Sequence, residues 1–202
     1  MSSPDPSLTT LLQTHPQTYL ATNPSLTGGL ILSAILHSKT RILLVQRAPT
    51  DGFPLAWETP GGGVDPASDA SLFAALSREV LEETGLAISL SDVVTLLSSD
   101  SSDLDRNDEN EGGGVTGVEW DDGHGKRWRK ITFLVDLSGD GGDGDGTREE
   151  VVVVLNPEEH VDYVWASRED VVEGVSGGRE IRFAYGETEG MVLNAFRVVA
   201  GG

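Results

Sequence analysis

The sequence predicts an α/β protein in which a mixed β-sheet lies between helices. Two observations lead to this expectation. Short apolar segments typical of strands recur along the chain, separated by turns rich in glycine and polar residues. An amphipathic helix that ends before Gly85 interrupts them, and a second one, residues 187–200, closes the chain. We expect one domain over residues 28–202, preceded by an irregular arm over residues 1–27 that packs onto it through its leucines.

Six or seven strands are expected, and each has its own local signal. A polar turn at residues 38–40 joins the first two, and an Asp-Gly step within residues 121–125 favours a hairpin between two later ones. The acidic segment 98–114 and the segment 138–146, rich in glycine and aspartate, are expected to be loops. A short helix is expected over residues 168–173. The predicted strands are residues 30–37, 41–47, 93–97, 115–120, 126–137, 149–155 and 161–166.

Composition limits the classes of function. The 202 residues carry a net charge of −19 and include no cysteine. This charge repels nucleic-acid backbones and anionic membrane surfaces, so neither is expected as a partner. It would also repel a phosphate substrate, which is one reason to expect a cation at a phosphate site. Without cysteine there is no disulfide framework, thiolate metal site or thiol nucleophile. The absence of a signal peptide and of a long apolar run predicts a cytoplasmic protein.

The central helix carries three acids in an unusual position. Projected at about 100° per residue, Glu79 and Glu83 fall in the same sector as Leu72 and Leu76, and Glu82 borders it. Three carboxylates therefore point towards the side that is expected to be buried. The plain alternative is a helix end with surface glutamates and a glycine cap. The Pro-Gly-Gly turn upstream and the inward angle of two of the acids favour a functional group.

A divalent cation is the simplest way to hold this group of acids. Ionised carboxylates in a partly dehydrated site repel each other and lose their hydration. Arg78 can orient one of them but cannot neutralise three. Magnesium prefers oxygen ligands and usually keeps several waters, with phosphate completing its shell. The sequence therefore predicts a site for Mg²⁺ or Mn²⁺ at Glu79, Glu82 and Glu83.

The stretch around these acids resembles the Nudix box, G-x5-E-x7-R-E-U-x-E-E-x-G-U, where U is a bulky apolar residue. Residues 78–86, R-E-V-L-E-E-T-G-L, fit the second half completely, and W-E-T-P-G-G at residues 57–62 is similar to the family's usual approach to the helix. The first half departs. Counted from Gly62, the next acid of the pattern falls on Ser68, and Arg78 comes two residues late. Asp69 can take the acidic position if the loop carries a short insertion.

This resemblance, which covers about residues 28–200, implies both a fold and an activity. The fold would be the Nudix α/β/α sandwich. The activity would be metal-dependent hydrolysis of a phosphoanhydride bond in a nucleoside diphosphate linked to another moiety, and a homodimer is a further expectation. Metal ligands are then expected at Gly61 (carbonyl), Glu79, Glu82 and Glu83, catalytic residues at Arg78, Glu79 and Glu82, and substrate contacts at Arg47, Trp57, Gly62 and Gly63.

Two questions stay open at this level. The general base is either a glutamate of the box or a residue of the loop Asn-Pro-Glu-Glu-His at 156–160, which lies where many Nudix proteins carry a catalytic or metal-binding residue. There, Glu158 or Glu159 could serve as ligand or base, and His160 could bind phosphate or cap the loop. The altered first half of the box also permits a non-catalytic, Nudix-fold nucleotide-binding module.

Three other motifs are weaker. Gly-x-Ser-x-Gly at residues 174–178 matches a nucleophile elbow by letter, but every histidine precedes Ser176, so we interpret it as a turn. A calcium loop that starts at Asp143 lacks the required glycine and glutamate. The basic run 126–130 could hold a phosphate or stack a base, or it could be a surface strand that contacts acidic loops.

Overall fold

The computed structural model describes residues 5–97, 117–138 and 151–201. Within these ranges the chain forms ten strands, five α-helices and one short 3₁₀ helix, Leu90–Asp92. The helices are α1 (Pro6–Gln13), α2 (Pro16–Thr22), α3 (Leu72–Thr84), α4 (Arg168–Glu173) and α5 (Gly186–Gly201). The strands are β1 (Gly29–Ser38), β2 (Arg41–Arg47), β3 (Trp57–Glu58), β4 (Gly61–Gly63), β5 (Val93–Leu97), β6 (Val118–Asp121), β7 (Arg127–Asp136), β8 (His160–Ala166), β9 (Val175–Ser176) and β10 (Arg179–Glu180).

Eight of these strands form one mixed sheet. Its main path runs β3-β2-β1-β7-β5, while β4 pairs with β1, β6 with β7 and β8 with β2. Among the described pairs only β1 and β7 are parallel, and the others are antiparallel. Parallel pairing requires a long crossover, and here the chain between β1 and β7 contains α3 and most of the site described below.

Helices cover both faces of this sheet, which confirms the predicted α/β/α arrangement. Alternation along β1 divides the core, because Leu32 and Ala34 pack with α1, α2 and α3, whereas Ile35 packs with α4 and α5. The helix α3 begins with Ser71, whose hydroxyl accepts a hydrogen bond from the Ala74 amide, and it ends at Gly85, which is left-handed at φ 69°. These caps fix where its last turn, and therefore its acids, come to lie.

The N-terminal segment is more regular than the sequence predicts. Residues 6–22 form two short helices, each begun by a proline and capped by the preceding side chain. Leu8, Leu12 and Tyr19 are buried in the same core as α3. The Thr14 carbonyl also accepts a hydrogen bond from the Leu72 amide at the start of α3, at 3.0 Å. The segment is therefore part of the layer that supports the central helix.

One predicted strand is absent from the described residues. Residues 151–155 make no strand pairing, and Val152 and Val154 are exposed. The Val154 amide instead donates to the carbonyl of Thr84, at 2.8 Å, so the segment covers the carboxyl end of α3. A run of valines predicts an extended chain well, but it does not specify which backbone groups will pair with it.

Of the smaller features expected from the sequence, some are confirmed, some are wrong, and some lie outside the described residues. The serine of Gly-x-Ser-x-Gly lies in the β9–β10 hairpin, closed by Gly177 and Gly178, which confirms a turn. The short strands β4, β9 and β10 were not expected, whereas β3 agrees with a short strand before the glycine turn. The predicted loops 98–114 and 138–146 lie almost entirely outside the described residues. No described helix is both long enough and apolar enough to cross a bilayer.

The packing of α1 on α3 leads to a stability prediction. Leu12 is 1% exposed, and its truncation to alanine would leave a cavity beneath α3. Leu12→Ala should therefore lower the free energy of unfolding by about 2–5 kcal/mol, measured by urea denaturation. The neighbouring Gln13→Ala changes an exposed side chain and should stay within about 0.5 kcal/mol of wild type. Equal effects of the two changes would mean that α1 is not part of the core.

Candidate active site

A glycine turn brings the backbone of β4 between β1 and α3. Gly61 has φ 149°, and a Cβ there would stand 2.2 Å from the carbonyl oxygen of Leu32. A Cβ on Gly62 would stand 2.5 Å from a carboxylate oxygen of Glu79. A side chain at Gly61 would collide with the backbone of β1, whereas one at Gly62 would meet only the flexible end of Glu79. Gly61 is therefore required for the backbone to reach the acids of α3.

The three glutamates of α3 differ in burial. Glu83 is 5% exposed and accepts a hydrogen bond from the Gly61 amide at 2.9 Å. Glu79 is partly buried beside Gly62. The side chain of Glu82 is 53% exposed, so the expectation of three inward carboxylates holds for two and is wrong for the third. Adjacent residues of a helix point in directions about 100° apart. This difference places Glu82 at the rim of the site, although Glu83 beside it is buried.

Arg78 ties these acids to the loop before the helix. Its guanidinium donates to both carboxylate oxygens of Asp69, each at 3.0 Å, and to the Gly63 carbonyl at 3.1 Å. It also contacts Glu79 at 2.8 Å and Glu82 at 3.2 Å. Asp69, the residue expected to take the acidic position of the pattern, therefore pairs with Arg78. Ser68, on which the acid of the pattern falls by counting, donates its hydroxyl hydrogen bond to Asp65 at 2.7 Å.

A second group of charges lies beside the glycine turn on the strands. The guanidinium of Arg47 donates to both oxygens of Glu58, at 2.6 and 2.7 Å, and contacts Asp51. A ring nitrogen of His160, Nε2, lies 3.2 Å from Glu58. No role is assigned to Glu58 from the sequence. Its position in W-E-T-P-G-G, directly before the glycine turn, was the signal that could have found it. Arg47 was expected to contact substrate, and here its guanidinium is held by two acids of the chain itself.

Trp57 also has a different surrounding from the one expected. Its side chain is 1% exposed and packs in the core beneath α5. The indole N–H donates to the carbonyl of Glu180 at 2.8 Å. Trp57 therefore secures β3, and with it Glu58, rather than presenting an aromatic face to a ligand.

The loop between residues 156 and 160 meets the end of α3. Ligand atoms of Glu83, Glu159 and His160 all lie within 4.8 Å of one another. Glu159 is exposed, while His160 is buried and its Nδ1 atom has no hydrogen-bond partner among the described residues. Two carboxylates and an imidazole nitrogen make a donor set that fits a divalent metal such as Mn²⁺. The fold thus brings Glu83 of α3 next to the loop 156–160, whose role the sequence did not decide.

The pKa values of the buried carboxylates are not all shifted in the same direction. Burial, together with the charges of Glu58, Glu159 and Glu79, raises the pKa of Glu83 to about 9 against the partial compensation of the Gly61 amide. Burial also raises the pKa of Glu79, despite its contact with Arg78. Burial acts in the same sense on Glu58, but hydrogen bonds from His160 and Arg47 outweigh it and lower the pKa of Glu58.

A model of the NUDIX domain matches residues 30–183, well over half of the chain. The chain belongs to the Nudix family. A search among curated protein sequences gave no match. The Nudix fold is nevertheless clear from solved structures, three of which are similar over most of their length.

The MutT protein of Methanosarcina mazei Go1 is 22% identical, covers 86% of this chain and 95% of its own, and has a TM-score of 0.51. An Ap4A hydrolase from C. elegans, solved as a binary complex, is 21% identical, with coverage of 86% and 98% and a TM-score of 0.51. The NUDIX domain of Shewanella oneidensis NrtR, solved with ADP ribose, is 16% identical, with coverage of 85% and 87% and a TM-score of 0.52. At these identities the likeness concerns the fold.

The buried carboxyl of Glu83 predicts a pH dependence of the metal-free protein. Its pKa is raised from 4.5 to about 9 on folding, so over that range the folded state holds a proton that the unfolded state has lost. The contribution of Glu83 to stability is therefore complete below about pH 4.5 and is lost as pH rises towards 9. In EDTA, Glu83→Gln should make the free energy of unfolding fall less steeply between about pH 5 and about pH 8 than in wild type.

Urea denaturation at each pH measures this slope. Glu82→Gln removes an exposed carboxylate from the same helix turn and should leave the slope as in wild type. A Glu83→Gln protein that loses stability with pH as steeply as wild type would show that Glu83 is already ionised at neutral pH in the folded chain.

Proposed function

We propose that this Nudix protein is a metal-dependent pyrophosphohydrolase that cuts a phosphoanhydride bond in a nucleoside diphosphate linked to another moiety. The observation that carries the proposal is the burial of Glu83 against the glycine turn, with Glu79 and Glu159 close by. Family membership supports hydrolysis. Among the similar structures, one is an Ap4A hydrolase and another holds ADP ribose, and these nucleotide derivatives suggest the substrate class.

The metal would be Mg²⁺ or Mn²⁺, held by Glu79, Glu82 and Glu83. The Gly61 carbonyl is proposed as a further ligand, and Glu159 can complete the set because of its distance from Glu83. When bound, such a cation neutralises the diphosphate and lowers the pKa of a coordinated water. Without a metal, burial and the neighbouring carboxylates raise the pKa of Glu83. A bound cation would offset this repulsion and allow Glu83 to ionise, which is in keeping with a role as metal ligand.

The surrounding residues have positioning and binding roles in this proposal. Arg78, fixed by Asp69, holds the carboxylates of Glu79 and Glu82 on one side. Gly62 and Gly63 leave the backbone accessible beside Glu79, where a side chain would block a phosphate. The water's proton would pass to Glu159, which is exposed and lies at the cluster, or to a glutamate of the box.

The contact between Asp69 and Arg78 supports the hydrolase over a non-catalytic module. The altered spacing of the box changes which residue meets Arg78 but leaves an acid in that place. A magnesium-dependent phosphate-release assay over a panel of nucleoside diphosphate derivatives distinguishes the two functions. Product formation supports the hydrolase, whereas tight binding without product would support the module.

Replacement of Glu83 tests the metal assignment. Glu83→Gln should fold, because an amide replaces a carboxyl that is largely protonated in the metal-free chain. It should lose metal-dependent turnover by several powers of ten, because a ligand and its charge are removed. Turnover is measured with the active member of the nucleotide panel, and metal binding by calorimetry with Mn²⁺.

The matched control for this change is Glu189→Gln, which removes an exposed carboxylate from α5, outside the site. It should keep the wild-type rate. If Glu83→Gln also kept that rate while folded, the metal would be bound elsewhere.

Two neighbouring glutamates test the loop at 156–160. Glu159 lies within 4.8 Å of the Glu83 ligand atom, whereas Glu158 is exposed and is not part of that cluster. Glu159→Gln should lower kcat by about 10²-fold or more if it takes a proton. Glu158→Gln should stay near the wild-type rate. The opposite order would assign the role to Glu158, and equal small effects would leave the box glutamates as the base.

A further inference from the structure

His160 has one ring nitrogen in contact with a carboxylate and one without a partner. Its side chain is 2% exposed, and Nε2 lies 3.2 Å from a carboxylate oxygen of Glu58. Nδ1 is buried and has no hydrogen-bond partner in the part of the chain that the structure describes. Buried side-chain polar atoms are usually hydrogen-bonded, because an unmet donor or acceptor costs free energy. Nδ1 of His160 is therefore a candidate ligand atom.

The contact with Glu58 favours a lone pair on Nδ1. Both oxygens of Glu58 accept hydrogen bonds from the guanidinium of Arg47, at 2.6 and 2.7 Å, so the carboxylate is held in place as an acceptor. A neutral imidazole that donates from Nε2 to this carboxylate keeps its lone pair on Nδ1. Histidines that bind metals usually donate their other ring N–H to a carboxylate, a carbonyl or a water, which orients the ring. Arg47, Glu58 and His160 have this arrangement.

Two further carboxylates stand beside this imidazole. Ligand atoms of Glu83, Glu159 and His160 lie within 4.8 Å of one another. Ligand atoms that share one cation through bonds of about 2.1 Å lie at most about 4.2 Å apart, so small side-chain movements would bring all three onto one ion. The backbone of the loop is also held in place, because the Ala48 amide after β2 donates to the Glu159 carbonyl at 2.7 Å.

The nitrogen donor distinguishes this group from the other acids of α3. Glu79 and Glu82 offer carboxylate oxygens and do not belong to the group of three. Magnesium prefers oxygen ligands, whereas imidazole suits first-row transition metals, and affinity for a given site rises from Mn²⁺ to Co²⁺. One imidazole with two carboxylates is therefore a mixed donor set that discriminates against Mg²⁺.

We propose that Glu83, Glu159 and His160 form a position for a first-row transition metal, where Mn²⁺ or Co²⁺ is preferred to Mg²⁺ and His160 is the nitrogen ligand. This inference rests on the proposed function for a metal at Glu83, and it deepens that function because it decides between the two cations expected there. Arg47 and Glu58 are then positioning residues, which orient the imidazole without contacting the metal.

Pulsed EPR of bound Mn²⁺ tests the nitrogen ligand without depending on turnover. The full chain is prepared with natural and with ¹⁵N-labelled histidine, and an equimolar amount of Mn²⁺ is added without nucleotide. The spin echo should show ¹⁴N modulation in the unlabelled protein, and labelling should replace it with the ¹⁵N pattern. His124→Gln removes an exposed histidine from the turn between β6 and β7 and should keep the modulation. A wild-type spectrum without histidine nitrogen would overturn the proposal.

Calorimetric titrations with Co²⁺ and Mg²⁺ test the selectivity. The wild type should bind Co²⁺ about tenfold or more tightly than Mg²⁺. His160→Gln keeps a donor for Glu58 but removes the imidazole, so it should weaken Co²⁺ binding by about tenfold to a hundredfold and Mg²⁺ binding by less than about threefold. Equal losses for the two cations would mean that His160 only supports the fold. Circular dichroism checks folding, and the wild-type EPR spectrum decides the ligand if the variant is unfolded.

The positioning role of Glu58 has its own matched pair of variants. Glu58→Gln removes the charge that orients His160, and it should lower the Co²⁺ affinity by about tenfold to a hundredfold with little change for Mg²⁺. Asp51→Asn removes the other acid that contacts Arg47 and should bind Co²⁺ as wild type does. Loss of affinity for both cations in Glu58→Gln would indicate a structural role instead.

The outcomes also separate this inference from the proposed function. If the wild type hydrolyses a nucleotide but shows no histidine nitrogen in the Mn²⁺ spectrum, only the inference fails. If the nitrogen is present but no member of the nucleotide panel gives product with Mg²⁺ or Mn²⁺, only the hydrolase function fails. A wild type that binds Co²⁺ no more tightly than Mg²⁺ would also overturn the inference.

Discussion

The hydrogen bond from the Gly61 amide to the buried carboxylate of Glu83 connects the two halves of this molecule. It links β4, which is held by β1, to the last turn of α3, and it exists because Gly61 has no side chain to collide with Leu32. One amide only partly compensates a dehydrated carboxylate, so Glu83 keeps a raised pKa. The chain accepts this cost at Glu83, and to a lesser degree at Glu79, and the other charged groups of the site are arranged around them.

Charge in the site is divided between neutralised pairs and groups without a partner. Asp69 with Arg78, and Glu58 with Arg47 and His160, form compact ionic contacts that fix the walls of the cleft. Glu83, on the other hand, has no cation beside it among the described residues. Paired groups give the site its shape, while the unpaired ones are available for ligands of opposite charge. Groups whose pKa values are shifted by burial and by neighbouring charges cluster at functional sites.

Sequence periodicity predicted most of this architecture. Helical spacing was sufficient to place Glu79 and Glu83 inwards, because the apolar face with Leu72, Leu76 and Val80 sets the rotation of the helix against the sheet. It placed Glu82 less well, since a residue at the boundary of a sector can turn to either side. The strand predicted at the valine run 151–155 is absent for a related reason. Its extended shape is a local property, whereas its pairing with the end of α3 depends on the tertiary structure.

The contacts between distant segments could not be read from the sequence. Glu58 meets His160 across 102 positions, and Arg78 selects Asp69 over the adjacent Ser68 by the path of a loop whose length departs from the usual pattern. Residue type alone also did not show that Trp57 is buried or that Arg47 is paired with acids of the chain itself. An aromatic ring and a guanidinium beside a site suit a ligand, but both are equally able to support the strands on which the site is built.

The attachment of the 156–160 loop to α3 has a mechanical consequence. Backbone amides of Val154 and Asn156 donate to the carbonyls of Thr84 and Glu83, the last residues of the helix. The loop carrying Glu159 is thereby hinged on the same residue whose carboxylate it approaches. If the helix end shifts when a ligand enters, the loop is carried with it, and the spacing of the two acids is preserved as the cleft adjusts its width.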